Sequence, residues 1–227
     1  DEVVIVTDVE GVMTGDPRVV EGARNVGEIT VDELRSLSFR GAEVVAPSAL
    51  SYKADDLGVR VVHYQHGDLL GGGTSIEGQF EKLIDLEETR LACVTIAGRA
   101  IRNSPGILGD LATMLGDEDI NIEANSSGMD SLTFYVDEAD ADEVEALLHD
   151  RIVDDETLSS VTVEDNLAVV RVTGGNPGEH ALPYRVVAPL ADAHIPLFDV
   201  ITSATSVSVF VPWDDREQAL ELVQGVF

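Results

Sequence analysis

Thr7 and Asp8, followed at short spacing by Gly11, Gly15, Asp16 and Arg18, are the side chains of this chain best placed to do chemistry together. A hydroxyl beside a carboxylate suits a sugar, a base edge or a metal-bound water. The guanidinium of Arg18 offers a planar fork of donors for phosphate. Gly11 and Gly15 allow a tight turn and let backbone N–H groups approach a ligand. The same spacing supports a plainer reading, in which Asp16-Pro17 starts a helix and the segment only connects a strand to it.

The elements around these residues must position them. The apolar run Val3–Val6 is long enough for a buried strand. It empties into the loop at the carboxyl end of a strand, where ligand crevices of α/β sheets form. Beyond the loop, apolar spacing predicts helices over Val31–Phe39 and Pro47–Leu57, with Thr30 and Ser48 near their starts. Val59–Tyr64 reads as a strand, and Gly71-Gly72-Gly73 as the end of the segment. Two strands and two helices make a poor free-standing α/β domain. Residues 1–76 are therefore expected to be the C-terminal part of a larger domain.

The rest of the chain repeats itself. Strand Leu91–Ala97, a turn at Asn103-Ser104-Pro105-Gly106, helix Ile107–Gly116 and strand Ile120–Glu123 form a first pass. Strand Leu167–Thr173, a turn at Asn176-Pro177-Gly178, helix Glu179–Ala193 and strand Ile195–Asp199 form a second. Each continues with an alternating strand (Ser131–Val136, Ser206–Val211) and an amphipathic helix (Ala141–Arg151, Asp214–Val226). The order βαββαβ predicts a ferredoxin-like antiparallel sheet with helices on one face. The first pass closes with strand Ser160–Glu164, whereas the second reaches Phe227 without a fourth strand. The run Phe80–Leu86 is expected to supply it, covering an otherwise unpaired edge.

Composition narrows the function classes. The 227 residues carry a formal charge of −29 from 43 acidic and 14 basic residues, and Lys53 and Lys82 are the lysines. With 44% hydrophobic content the acids decorate folded cores rather than a disordered tail. Such a surface argues for adaptation to high salt, and against nucleic acid or an anionic membrane as partner. Cys93, the single cysteine, lies in an apolar run and reads as a small core residue. The five histidines form no metal pattern, and His63 and His66 read as structural. No apolar stretch reaches the ~18 residues of a membrane span and no signal peptide opens the chain, so a cytoplasmic location is expected.

The loop Thr-Asp-Val-x-Gly-Val-x-Thr-x-Asp-Pro-Arg-Val-Val from Thr7 to Val20 resembles the nucleotide-binding loop of the amino acid kinase family, and most closely that of aspartate kinases. Glu28-Ile29 and Phe39–Pro47 are similar to the segments downstream of that loop in the family. The two passes look like tandem ACT domains, the amino-acid-sensing modules of aspartate kinases. The resemblance implies residues 1–76 as the end of the kinase domain, 92–165 as the first ACT domain, and 79–90 with 166–227 as the second, the first being inserted in the second. It implies ATP-dependent phosphorylation of L-aspartate, with Mg2+, at the head of lysine, threonine and methionine biosynthesis.

Carried over to matching positions, Thr7, Asp8, Met13, Asp16 and Arg18 would contact the nucleotide. Met13 stands in place of an aromatic, Glu43 in place of a lysine and Ala46 in place of a frequent histidine. The family's Lys-Phe-Gly-Gly motif is absent, so no catalytic residue is assigned here and the chain is expected to be inactive alone. In the first ACT domain, Ser104, Ile107, Leu108, Ile122, Glu123 and Ser127 match positions that bind lysine in some family members; other members bind threonine or use an Asp-x-Pro-Gly turn and a glutamine, where this chain has Asn103 and Ser127. Backbone N–H groups at the start of the helix would take the effector's carboxylate and Glu123 its ammonium. The plainer reading makes Ser104 a helix cap and Glu123 a solvated acid. The turn Asn176-Pro177-Gly178 and Asp199 are expected to support the paired interface, and a homodimer through the ACT domains is implied. The competing class is a non-catalytic ACT sensor acting on a separate enzyme.

Overall fold

A computed structural model describes residues 2–38, 44–69, 71–80, 83–99, 101–173 and 181–227. The chain divides into two compact units. The first comprises Asp1–Leu83, Val172–Pro183 and Thr202–Val207, and the second Ile84–Arg171, Tyr184–Ile201 and Ser208–Phe227.

Among the described residues, the N-terminal segment forms a four-stranded sheet where two strands were expected: β1 (Glu2–Thr7), β2 (Glu28–Thr30), β3 (Gly58–His63) and β4 (Thr74–Glu77), in the order β1-β3-β4-β2. β1 and β3 are parallel in the register Val3↔Val59 to Thr7↔His63. β4 runs antiparallel to β3 and parallel to β2. Strands of three and four residues carry too little alternation to be read from sequence. The glycines 71–73 therefore do not end the segment but turn the chain into β4. Gly73 has φ 69°, and a Cβ there would collide with the Val61 carbonyl oxygen. β1 lies at an edge with Val3 and Val6 nearly half exposed, and is not the buried strand its apolar run predicted.

α1 (Val31–Ser38) starts as Thr30 implied. The Thr30 hydroxyl accepts from the Glu33 N–H at 3.2 Å while the Glu33 carboxylate accepts from the Thr30 N–H at 2.9 Å, a reciprocal capping box. α2 is one turn, Pro47–Leu50, rather than a helix to Leu57. Its continuation is claimed by the buried Lys53, whose ammonium donates to the carbonyls of Ala54 (3.2 Å) and Gly78 (2.6 Å). Val12, Ile29, Val31, Leu34, Leu50, Val61 and Ile76 form the core of this unit.

The two repeats share one seven-stranded sheet: β5 (Leu83–Leu86), β6 (Leu91–Ala97), β7 (Ala124–Ser127), β8 (Ser131–Asp137), β9 (Ser160–Thr173), β10 (Asp199–Thr202) and β11 (Ser206–Pro212). Its order is β10-β11-β9-β6-β8-β7, with β5 also on β9. The predicted strands Ser160–Glu164 and Leu167–Thr173 are one continuous strand. Its register on β6 slips where Leu91 faces Leu167 and Cys93 faces Glu164. Asn166 sits in the slip with φ 62° and donates its N–H to the Glu138 carboxylate at 2.8 Å. That is the signature of a β-bulge, with Asn tolerant of the left-handed conformation.

The helices are α3 (Ile107–Asp117), α4 (Ala141–Val153), α5 (Leu182–Asp192) and α6 (Arg216–Gln224). Ala92, Val94, Ile96, Leu132, Phe134 and Val136 of the sheet pack with Leu111, Leu115, Val144 and Leu148 of α3 and α4. The alternate residues form a second cluster on the opposite face, Leu91, Tyr135, Leu167, Val169 and Phe210, drawn from both repeats. Two strands start later than expected: β7 at Ala124 instead of Ile120, and β10 at Asp199 instead of Ile195. The side chains of Ile120 and Ile195 are buried, so their apolarity reports core burial rather than strand. Among the described residues no helix is long and apolar enough to cross a membrane.

Candidate functional site

The loop after β1 is tied back to the sheet by Asn25 and Thr74. Residues 12–14 run alongside 24–26, with Met13 bridging Asn25, the Val26 N–H donating to Val12 (2.7 Å) and the Thr14 N–H to Arg24 (2.8 Å). The fully buried Thr74 hydroxyl accepts from the Val12 N–H at 2.9 Å and from the Asn25 amide at 3.2 Å, and donates to the Val26 carbonyl at 2.6 Å. Asn25 donates also to the Glu10 carbonyl. Gly11, at φ 102°, passes so close that a Cβ would lie 2.5 Å from the Thr74 hydroxyl. The loop thus needs glycine for both reasons anticipated, backbone conformation and close approach.

The sequence-derived nucleotide residues occupy the outer part of this loop. Thr7 closes β1 and donates its hydroxyl to Asp8 at 3.2 Å. Asp16 and Arg18 form a two-point ion pair, Nε to Oδ1 at 3.0 Å and Nη2 to Oδ2 at 2.9 Å, on an exposed turn. The pair holds the Asp16 carboxyl below the usual carboxylate range, chiefly through the Arg18 hydrogen bond, and raises the guanidinium correspondingly. Asp16-Pro17 starts no helix; the Asp16 carbonyl accepts from the Val19 and Val20 N–H groups in a turn. Glu43 lies outside the described residues, and Ala46 precedes α2 as its N-cap.

A cleft of about 580 Å³ opens beside the loop. It is lined by Glu10, Asn25, His63, Gln65, His66 and the glycine backbone at 27, 72 and 73, but by none of Thr7, Asp8, Met13, Asp16 or Arg18. His63 ends β3 next to the parallel end of β1, the crevice position of an α/β sheet. His63 and His66 line this cleft, and His63 also accepts the Gln65 N–H at 3.1 Å and stacks on Tyr64. The glycine run brings backbone close to this cleft, which a glycine-rich stretch marks as readily as a chain break.

In the first repeat the effector candidates separate. Ile107 belongs to the core and Ile122 packs against it. Leu108, Glu123 and Ser127 are exposed, and the Asn121 amide donates to Glu123 at 2.5 Å. Ser104 is not the helix cap: Gly106, at φ 90°, is the N-cap of α3, and the Ser104 carbonyl accepts from the Ile107 N–H at 3.3 Å. The second repeat's turn Asn176-Pro177-Gly178 lies outside the described residues. Asp199 receives the Tyr135 hydroxyl at 3.2 Å and the Val200 N–H at 2.7 Å.

Comparison with known proteins agrees with this geometry. A model of the amino acid kinase family matches residues 1–63, and ACT domain models match residues 94–152 and 162–224. Aspartokinase 2 of Bacillus subtilis is 30% identical over 239 residues, covering all of this chain. This chain spans 57% of that relative's length. Among solved structures, aspartate kinase from Synechocystis superposes with a TM-score of 0.77 at 21% identity, over 98% of this chain and 42% of the other. E. coli aspartokinase III, crystallised with lysine and aspartate in the T-state, superposes at 0.53 and 24% identity, over 100% of this chain and 52% of that one. The chain thus carries a partial amino acid kinase match followed by two ACT-domain matches, and is similar along its whole length to just over half of an aspartokinase.

Proposed function

We propose that this chain forms the nucleotide-loop and regulatory portion of an ATP-dependent aspartate kinase, transferring the γ-phosphoryl group to the β-carboxylate of aspartate. The observation that carries it is the kinase-type loop at the ends of parallel β1 and β3, on the same chain as two ACT repeats. A sensor acting on a separate enzyme has no use for that loop. Phosphoryl transfer is mostly positioning and charge stabilisation. The loop would hold the nucleotide, and Mg2+ would arrive with its phosphates.

The domain division that fits this reading is 1–76 for the kinase part, 92–165 for one ACT domain, and 79–90 with 166–227 for the other. The pairing of β5 with β9 supports the last assignment. Regulation follows from a lysine or threonine effector binding one arrangement of the ACT repeats better than another, the lever by which a ligand shifts a conformational equilibrium. The lysine-bound state of E. coli aspartokinase III favours lysine. A homodimer through the ACT repeats and a cytoplasmic location complete the proposal.

The test is a coupled assay for aspartate-dependent ATP consumption. The 227 residues alone should give none. A chain that joins them to a segment bearing Lys-Phe-Gly-Gly should form 4-phospho-L-aspartate and lose activity with added lysine or threonine. Turnover by the 227 residues alone, or none from the joined chain, overturns the assignment.

A further inference from the structure

We propose that the exit of β4 is a latch, in which Lys53 and Arg35 grip Gly78–Phe80 and through which an effector on the ACT repeats acts on the loop after β1. The inference rests on the regulatory reading above and names the joint through which regulation passes. β4 is four residues long, about 13 Å at the rise of a strand. Its first residue, Thr74, holds the loop through the Val12 N–H, the Asn25 amide and the Val26 carbonyl. Its last residue is followed at once by Gly78. The chain then enters β5, which pairs with β9, at Leu83. One short strand therefore stands between the anchor of the loop and the segment that leads to the repeats.

The Lys53 ammonium donates to the Gly78 carbonyl at 2.6 Å, and the Lys53 carbonyl accepts the Phe80 N–H at 3.3 Å. The Arg35 guanidinium lies over the Phe80 ring, 4.0 Å from its centroid, and that ring packs on the core of the first unit. Arg35 is 0% exposed and Lys53 6%, and among the described residues these are the two buried cations. Burying a cation is costly unless it is well bonded. Both converge on one three-residue stretch, the stretch where the chain leaves β4. Gly78 has φ 76°, yet a Cβ there would meet nothing within 4 Å. Glycine at this position therefore serves the backbone conformation of the gripped state and not the space around it. A joint of this kind transmits only what it holds differently in two states. Loss of the grip uncouples the repeats from the loop without touching either ligand.

The test uses the joined kinase chain described above, with lysine and threonine as probes. Lys53→Met keeps the length of the side chain and removes the ammonium. It should raise the half-inhibiting effector concentration about tenfold, the effect of one charge-assisted hydrogen bond. Gly78→Ala, which strains only the gripped backbone, should act in the same direction. In both variants kcat and KM for MgATP without effector should stay as they were, and calorimetry should still detect effector binding. That split separates a lost joint from a lost site or a misfolded chain. Tyr52→Ala, at the exposed neighbour of Lys53, should change nothing. In the unsubstituted enzyme, hydrogen exchange across residues 77–80 should change several-fold when the effector is added, a readout independent of variant folding. Inhibition of both variants at the unaltered effector concentration would overturn the latch and leave the regulatory reading standing. An unsubstituted enzyme that binds neither amino acid would sink that reading and the latch with it. Exchange across 77–80 that ignores a bound effector also overturns the latch.

Discussion

Tyr135 of the first repeat donates its hydroxyl to Asp199 of the second at 3.2 Å, joining strands β8 and β10 that are far apart in sheet order. The ring is buried and stacks on Phe210 with centroids 3.7 Å apart. One side chain thereby contributes a large apolar area and a polar link to the cluster built by both repeats. Asp199, expected to support the paired interface, here accepts from a residue of the first repeat within a single chain.

Tyr135→Phe keeps the ring and removes the link. Leaving Asp199 one donor short should cost about 1–2 kcal/mol, read as a lower midpoint in denaturant at pH 7. Burial, aided by the Asp199 and Cys93 charges, pushes the Tyr135 phenol well above its ordinary range. A pKa raised on folding gives stability that is whole below the unfolded value of about 10 and drains away as pH climbs above it. The unsubstituted protein should therefore lose stability progressively as pH rises above about 10, and Tyr135→Phe should flatten that loss. Equal pH slopes in the two proteins would place the titration elsewhere.

Gly11 and Thr74 can be probed as a pair. A Cβ at Gly11 meets the Thr74 hydroxyl at 2.5 Å, on a backbone at φ 102°. Gly11→Ala should destabilise the first unit by about 1–3 kcal/mol. Thr74→Val, which strands the Val12 N–H and the Val26 carbonyl, should cost a similar amount. The double variant should lose less than the sum, because both changes break the same contact. Strict additivity in thermal melts would mean that the loop is not held there.

Glu123 is exposed and accepts from the Asn121 amide, so it can exchange that partner for an effector's ammonium without a burial penalty. Glu123→Ala should weaken lysine binding by about ten- to a hundredfold, the worth of a charge-assisted hydrogen bond. Asn121→Ala should leave it the same or slightly tighter. Unchanged lysine affinity in Glu123→Ala would move the site off this strand.

With 43 acids against 14 bases, melting temperature should rise steeply from low KCl into the molar range, as screening shortens to about 3 Å. Potassium glutamate should act like KCl if the effect is screening of like charges. A flat profile would mean that the surface carboxylates repel too weakly to matter.

Much of the architecture was legible because it rests on local signals. Thr30 and Glu33 announce α1 three residues apart and form the capping box that their types promise. The alternating strands Ser131–Val136 and Ser206–Val211 appear within a residue of their expected ends, since a half-buried sheet imposes period two. The repeat order βαββαβ follows from such elements taken in series. Ser104 misled because a serine before a helix is a common cap, whereas Gly106 bends the backbone into that position instead.

The sequence by itself determined the loop and its glycines, the kinase-type strand before it, the two ACT repeats, and the acidic surface. Each of these is written in neighbouring residues. Only the tertiary structure decided what happens between residues distant in the chain. It placed Thr74 under Gly11, far along the chain, and gathered His63 and His66 beside Asn25. It tied Arg18 to Asp16, merged two predicted strands into β9, and laid Tyr135 against Asp199. Hydrogen bonds and close approaches of this kind depend on where strands of different segments come to lie. A period read along one segment carries no information about that.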